Sequence, residues 1–463
     1  MSSVGTAGAR QAIWPGDIPK PLAPYSPAIK AGGWLFVAGQ LASDFVTGLA
    51  EECKTPNPYA GDQLRLQSDY VLKNLAALHE AAGMDMRKDV MRIYQWFASR
   101  YPSMEAFAEG DTWPRISITP YLETRNEYIE EPRPASTGMG IREDGLLVRD
   151  TILEVDMISI EQQPGVEKQG FPAPSGVPSP LAGYSPAIRN GDWIFLAGEI
   201  PVDWQGDYLS DVHLGEPSGL AREARVNPYF WYGSEIENQT EYVLQKLEKI
   251  ASVAGASSLK NTVKATVYIA SPEDFAGMDR VWRRWFPQNP PARVVIPYMG
   301  LGGKGSRIEI ALKLLADDSD LTIETIETSE APEPLGHEPQ AVKAGQFLFF
   351  STQMAFDSSG ALAEKTKRHP EFPWYGQPAK MQMSYMLDNV SAISEAAGTT
   401  LENLCRRQAF HDDFTWFAET MQDEWASRFP GDKPASTTLR IGGPLVVPGA
   451  HILLDLIGYV PEG

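Results

Sequence analysis

Apolar and polar positions along this chain switch between two periods, and the same succession of periods occurs three times. Each round opens with two short apolar stretches around a glycine turn: Ala28-Ile29 and Trp34 to Ala38, Ala187-Ile188 and Trp193 to Ala197, Ala341-Val342 and Phe347 to Phe350. Such runs read as paired strands. The spacing then becomes helical, as at Val71, Leu72, Leu75 and Leu78, and the marks Gln67, Tyr70, Leu72 and Gly83 return as Gln239, Tyr242, Leu244 and Gly255 and as Gln382, Tyr385, Leu387 and Gly398. The Ala-Gly endings read as helix C-caps. A buried strand follows (Val90 to Phe97, Val263 to Ile269, Leu404 to Phe410), then a second amphipathic helix, clearest at Pro272 to Phe286 and Asp412 to Phe429. Each round closes on Pro134-Ala135-Ser136, Pro291-Ala292-Arg293 or Pro434-Ala435-Ser436, with one more strand beyond.

The pattern predicts an α+β chain of three β-β-α-β-α-β-β units, each a mixed sheet covered on one face by two helices, over 14–163, 177–316 and 330–461. Proline-rich linkers, Gln163 to Pro180 and the acidic Asp317 to Pro334, separate them. Pro-aromatic loops at Asn57-Pro58-Tyr59, Asn227-Pro228-Tyr229 and Phe372 to Gly376 precede the first helices, and the first unit carries an extra charged segment, Tyr121 to Glu131, expected to be exposed. The glycine-rich Gly300 to Gly305 reads as a turn. It would fold Arg293 and Glu309 together in a hairpin.

Composition narrows the chemistry. At 463 residues there is room for about three domains of roughly 150 residues. Sixty acids against 40 bases give a formal charge of -20, which excludes a general nucleic-acid or anionic-membrane binder and makes single arginines the natural anion sites. Two cysteines make no disulfide framework, no apolar run reaches membrane-spanning length, and no signal-peptide core precedes the first unit, so a cytoplasmic protein is expected. The six histidines show no metal-ligand spacing, and no metal or organic cofactor is expected.

The ordered set Tyr184-Ser185-Pro186-Ala187-Ile188, Leu196-Ala197-Gly198-Glu199, Val253-Ala254-Gly255, Pro291-Ala292-Arg293 and Ile308-Glu309-Ile310, echoed in the other two units, resembles the Rid (YjgF-like) family of enamine/imine deaminases. The resemblance covers nearly the whole chain. It implies chorismate-mutase-like units, a central barrel with helices outside, and ligand clefts between neighbouring units. Because relatives form trimers, it also implies a pseudo-trimer within one chain, either monomeric or a dimer of such chains. It assigns Arg293 to the substrate carboxylate, Glu309 to the positioning or activation of water, Tyr25 and Tyr184 to the cleft wall, and Ser351 to a polar cleft position. The departures are Ser136 and Ser436 for the arginine, Leu453 for the glutamate, Glu338 for the tyrosine, Ala38 and Ala197 for the serine, and Val295 for a family cysteine.

These assignments imply a cofactor-free hydrolytic deaminase with one working cleft, acting on a small anionic substrate such as 2-aminomuconate or a substituted relative. A planar guanidinium suits carboxylate recognition, and a partly buried carboxyl group suits water and proton handling. Bland readings stand beside these. Arg293 and Glu309 would otherwise be an ordinary ion pair, Tyr184 a packing residue, and Ser351 a satisfied partner of Thr352. Two other function classes stay open: a non-catalytic ligand-binding protein, and a ring-opening amidohydrolase, for which the chain lacks a matching Ser-Lys trio.

Overall fold

The computed structural model describes residues 9–55, 62–99, 117–203, 219–226, 233–297, 299–368, 371–372 and 378–462. Three six-stranded sheets share one topology. The first holds β1 (Gln11–Ile13), β2 (Ala28–Ala31), β3 (Trp34–Leu41), β4 (Val90–Ser99), β5 (Ala135–Arg142) and β6 (Leu153–Ile160), in the order β1-β2-β3-β6-β4-β5. The second repeats that order with β7 (Gln169–Phe171), β8 (Ala187–Asn190), β9 (Trp193–Leu196), β10 (Thr262–Ile269), β11 (Ala292–Pro297) and β12 (Ile308–Leu315). The third does so with β13 (Ile323–Ile326), β14 (Ala341–Ala344), β15 (Phe347–Phe350), β16 (Leu404–His411), β17 (Ala435–Arg440) and β18 (Ile452–Tyr459).

Local chemistry sets the helices that back these sheets. In the helix Glu235–Ala254, Ser234 caps the N-terminus by accepting from the Glu237 amide, Glu235 and Glu237 oppose the helix dipole in the first turn, and Gly255 ends it at φ 103°. Its buried stripe, including Val243, Leu247 and Ile250, packs on the outer face of the second sheet. The helices Gln63–Ala81 and Pro378–Ala396 do the same for the other two sheets.

The inner faces meet in one common core. Trp34, Trp193 and Phe347, which open β3, β9 and β15, touch one another at ring-centroid distances of 4.9, 4.4 and 6.2 Å. Three equivalent side chains in mutual contact mark the pseudo-threefold axis. Further along it lie Trp96, Tyr268 and Phe410. Between the two aromatic levels is a polar layer in which Lys264 pairs with Asp455 at 2.7 Å and Arg406 with Asp156 at 2.9 Å. Burial alone would push the Tyr94 phenol up, but Lys313, Arg92 and Arg406 outweigh it and bring it down to about 8.

Two expectations are corrected. Arg293 and Glu309 do not share a hairpin: β10 lies between β11 and β12, parallel to the first and antiparallel to the second. Each proline-rich linker also contains an edge strand, β7 or β13, paired to β8 or β14. The charged segment Tyr121–Glu131 overlaps the helix Thr119–Tyr128, whose Tyr121, Thr124 and Arg125 are buried. It is the second helix of the first unit, packed on Gln63–Ala81, rather than an exposed addition. The Pro-aromatic elements at 57–59, 227–229 and 373–376 lie outside the described residues. Among those described, no helix is long and apolar enough to cross a membrane.

Candidate functional site

Strand register fixes which positions correspond. Ser136, Arg293 and Ser436 occupy one place on β5, β11 and β17, opposite Ile93, Ala265 and Arg407 on the neighbouring parallel strand. Glu154, Glu309 and Leu453 occupy another, opposite Trp96, Tyr268 and Phe410. The ring of sheets closes through main-chain bonds at each boundary: Gly198 N–H to Ser136 O at 2.9 Å, Thr352 N–H to Arg293 O at 2.9 Å, and Ser26 N–H to Pro434 O at 3.2 Å. The arginine place of one unit therefore faces the glutamate place of the next, not that of its own. Arg293 and Glu309 belong to different boundaries.

At the boundary of the second and third sheets, Arg293 is fully buried and engaged within the protein. Its Nε donates to Glu338 Oε2 at 2.7 Å and its Nη2 to Asp279 Oδ1 at 2.6 Å. The guanidinium lies 4.9 Å from the Trp282 ring centroid. Burial pushes the Glu338 carboxyl up while Arg293 pulls it down. For Asp279, Arg293 and the His337 amide outweigh burial and hold the carboxyl below its ordinary range. Glu338 stands where the other units have Tyr25 and Tyr184, so the side chain in the tyrosine's place occupies the arginine. Ser351 Oγ accepts from the Arg293 amide at 3.1 Å and donates to Pro339 O at 2.5 Å, and Leu453 replaces the glutamate. Arg293 and Ser351 are thus engaged within the fold, and neither lines the cavities of about 590 and 460 Å³ at the other two boundaries.

The boundary of the first and second sheets holds a cavity of about 590 Å³ containing Glu309, Tyr184, Glu199, Lys246, Gln95 and Ser136. Burial pushes the Glu309 carboxyl up to about 8, Glu199 adding to the rise while Arg92 and Lys246 oppose it. Lys246 pairs with Glu199 at 2.6 Å, and Gln95 Nε2 donates to Ser136 Oγ at 2.8 Å. The phenol of Tyr184 is also pushed well up, chiefly by burial.

At the boundary of the third and first sheets, a cavity of about 460 Å³ is lined by Tyr25, Glu154, Gly39, Ser436 and Thr438 among others. Ser436 is too short to reach the place of the Arg293 guanidinium, but Arg407, beside it on β16, does reach it. Its Nε and Nη2 donate to Ser436 Oγ at 3.0 and 2.7 Å, and Nη2 also donates to Thr438 Oγ1 at 2.9 Å. The guanidinium contacts Met421 and lies 4.6 Å from the Trp425 ring, just as Arg293 contacts Met278 and Trp282. Met421 and Trp425 come from a stretch of π-helix, Ala418–Trp425, a wider turn often found at functional sites. One arginine has in effect been moved to the adjacent strand with its head group kept in an equivalent setting.

Unlike Arg293, Arg407 has no carboxylate within ion-pair distance among the described residues. Burial lowers it to about 9, opposed by Tyr25. Burial and then Asp156 push Glu154 well above its ordinary value, opposed by a bond from the Thr438 amide, and its Oε2 finds no partner. Tyr25, half-buried as a residue, has its phenol pushed up by burial and Glu154, with Arg407 opposing. A Cβ built at Gly39 would collide with Glu154 Oε1, and one at Gly198 with Glu309 Oε1. Glycine thus stands beside each glutamate, and Thr352 takes that place where Leu453 replaces it. Among the described residues no cluster of three or more His, Cys, Asp or Glu is placed to hold a metal.

The family model described as Endoribonuclease L-PSP matches residues 175–314. A RutC family protein of Pyrococcus abyssi is 34% identical over 119 residues, 26% of this chain and 76% of that protein. The chain belongs to the Rid family. A 3-aminoacrylate deaminase RutC of Acinetobacter baylyi is 29% identical over 138 residues, 30% of this Rid chain and 90% of its own length. A 2-iminobutanoate/2-iminopropanoate deaminase of Rattus norvegicus is 30% identical over 136 residues, 29% of this chain and 82% of its own. Reading the Rid motif by position missed Arg407. The available signal was Arg406-Arg407 within a strand buried throughout its length: neighbours point to opposite faces, so each face had to bury a cation.

Proposed function

We propose that this chain is a hydrolytic deaminase for a carboxylate-bearing enamine or imine, and that its working cleft lies between the third and first sheets. The observation that supports this most is Arg407, buried without a counter-ion among the described residues and one hydrogen bond behind two cavity hydroxyls. A buried unpaired charge is costly, and an arriving carboxylate would relieve that cost. The ligand would accept from Ser436 and Thr438, polarised from behind by the guanidinium.

Glu154 supplies the proton chemistry in this reading. With its carboxyl pushed well above the ordinary range by burial, it gives its proton to the enamine carbon and the substrate becomes an iminium. The carboxylate so formed takes a proton from water as the oxygen adds to the iminium carbon. The resulting carbinolamine passes its hydroxyl proton to nitrogen and expels ammonia, leaving the carbonyl. The Tyr25 phenol, held protonated, is a further donor on the cleft wall. Two relatives named as deaminases of small enamine or imine acids favour this class of reaction. A longer dicarboxylate such as 2-aminomuconate is one candidate substrate for a cavity of about 460 Å³.

The test is ammonia release by the full chain from 3-aminoacrylate, 2-iminopropanoate and 2-aminomuconate, with Glu154→Gln and Glu309→Gln compared. Turnover should survive the second change and not the first. Turnover of none of the three, or the reverse pattern between the variants, would refute the proposal.

A further inference from the structure

The cavity between the first and second sheets has the larger volume, about 590 Å³, yet takes no part in the chemistry proposed above. It keeps the glutamate and tyrosine places, Glu309 and Tyr184, but the guanidinium is missing from both positions that supply one elsewhere. Ser136 stands where Arg293 stands, and Ile93, paired with Ser136, stands where Arg407 stands. Among the described residues that line it, Lys246 is the one cation, and its ammonium is already held by Glu199 at 2.6 Å. An incoming carboxylate would meet a satisfied ion pair and a second acid, while Arg92, whose charge acts on Glu309, is already held by Leu196 O and Thr137 Oγ1. An incoming ammonium would meet that same pair and Glu309, which keeps its proton at neutral pH because its carboxyl is pushed up to about 8.

The remaining wall is mostly apolar, with Ser117 and Thr119 as its polar positions. Phe97, Ile118, Leu122, Leu181, Ile200 and Val202 enclose it. At the floor, the Ser136 hydroxyl and the Gln95 amide are hydrogen-bonded to each other at 2.8 Å. A volume of this size falls in the range of small-molecule sites, and apolar walls with a few converging polar groups are the usual composition of one.

We propose that this cleft is a second ligand site, selective for an uncharged molecule with an apolar body and a hydrogen-bonding head such as an amide or lactam. These two boundary clefts would then differ in the charge they accept, a carboxylate at the third–first boundary and a neutral head group at the first–second. This inference does not depend on turnover at the other cleft.

Three probes of nearly one shape separate the possibilities: benzamide, benzoate and benzylammonium. Each is titrated against the full chain by calorimetry and ligand-observed NMR at neutral pH, with Arg407→Met as background to silence the other cleft. Benzamide should bind saturably, at least tenfold more tightly than either ion, and Leu122→Trp should weaken it at least tenfold by filling the cavity. Ser136→Arg should invert the preference toward benzoate, because it restores a guanidinium at the place occupied by Arg293. No saturable benzamide binding, equal binding of either ion, or benzamide binding unmoved by Leu122→Trp would each overturn the proposal. Circular dichroism confirms that each variant is folded, and Ser136→Arg reads the same site independently if Leu122→Trp fails to fold.

Discussion

Replacing Arg407 with methionine should make the protein more stable and less active at once. The guanidinium gives up three hydrogen bonds, to Ser436 at 3.0 and 2.7 Å and to Thr438 at 2.9 Å. It is also a buried charge without a carboxylate partner among the described residues, lowered to about 9 from an ordinary 12.5. That displacement corresponds to roughly 5 kcal/mol of unfavourable burial. Methionine has no such penalty and packs beside Met421 and Trp425. Exchanging a buried charge for an apolar side chain of similar length commonly stabilises by about 1–4 kcal/mol. For catalysis, losing one hydrogen bond to a charged group costs about 2 kcal/mol, roughly a thirtyfold fall in kcat/KM. The assay pairs urea unfolding with ammonia release on the best substrate found. A lower unfolding midpoint together with unchanged kcat/KM would refute the reasoning, because Arg407 would then be a structural residue whose charge is compensated inside the fold.

Four further outcomes are expected. Glu154→Gln should lower kcat by about 10²–10⁴ with KM little changed, as measured in steady-state kinetics, and an unaltered kcat would remove Glu154 from the mechanism. Glu338→Ala strips one carboxylate from Arg293 and should destabilise the chain by about 3 kcal/mol in urea; Arg293→Lys should leave kcat/KM near wild type, and a folded, inactive lysine variant would return the site to the second–third boundary. Glu309 has a folded-state value of about 8 against an ordinary 4.5, so its contribution to stability is full below about pH 4.5 and is lost as pH rises toward 8. Glu309→Gln should flatten that slope and be the more stable form by roughly 3 kcal/mol at pH 7, whereas parallel pH profiles would exclude the perturbed carboxyl.

The features that local periodicity controls were legible in the sequence. The helices from Gln63, Glu235 and Pro378 and the strands from Val90, Thr262 and Leu404 follow from apolar spacing, because each must bury one face or both. The edge strands β7 and β13 left no such signal, since their residues are mostly exposed or half-buried and pair along only one edge. The imagined hairpin of Arg293 and Glu309 failed because adjacency in sequence says nothing about a strand, β10, inserted between two others. Arg293 carries the family's residue in the family's place, but its role is decided by Glu338, 45 positions away in the following unit. Arg407 stands outside the motif, and only the register of β16 against β17 shows that its head group comes to an equivalent setting.

The boundary that joins the third sheet to the first has a temporal consequence. Ser26 bonds to Pro434, and Arg10 reaches Leu404 O and Asp432 O, both at 2.9 Å. The walls of that cleft are therefore translated hundreds of residues apart. A nascent chain that has emerged through its second unit already holds both halves of the first–second cleft, yet it has only one wall of the other. The cleft proposed for catalysis would come into being last, once the final unit folds back onto the first. A ribosome that stalls before then would release a product able to occupy one site but not to turn over at the other.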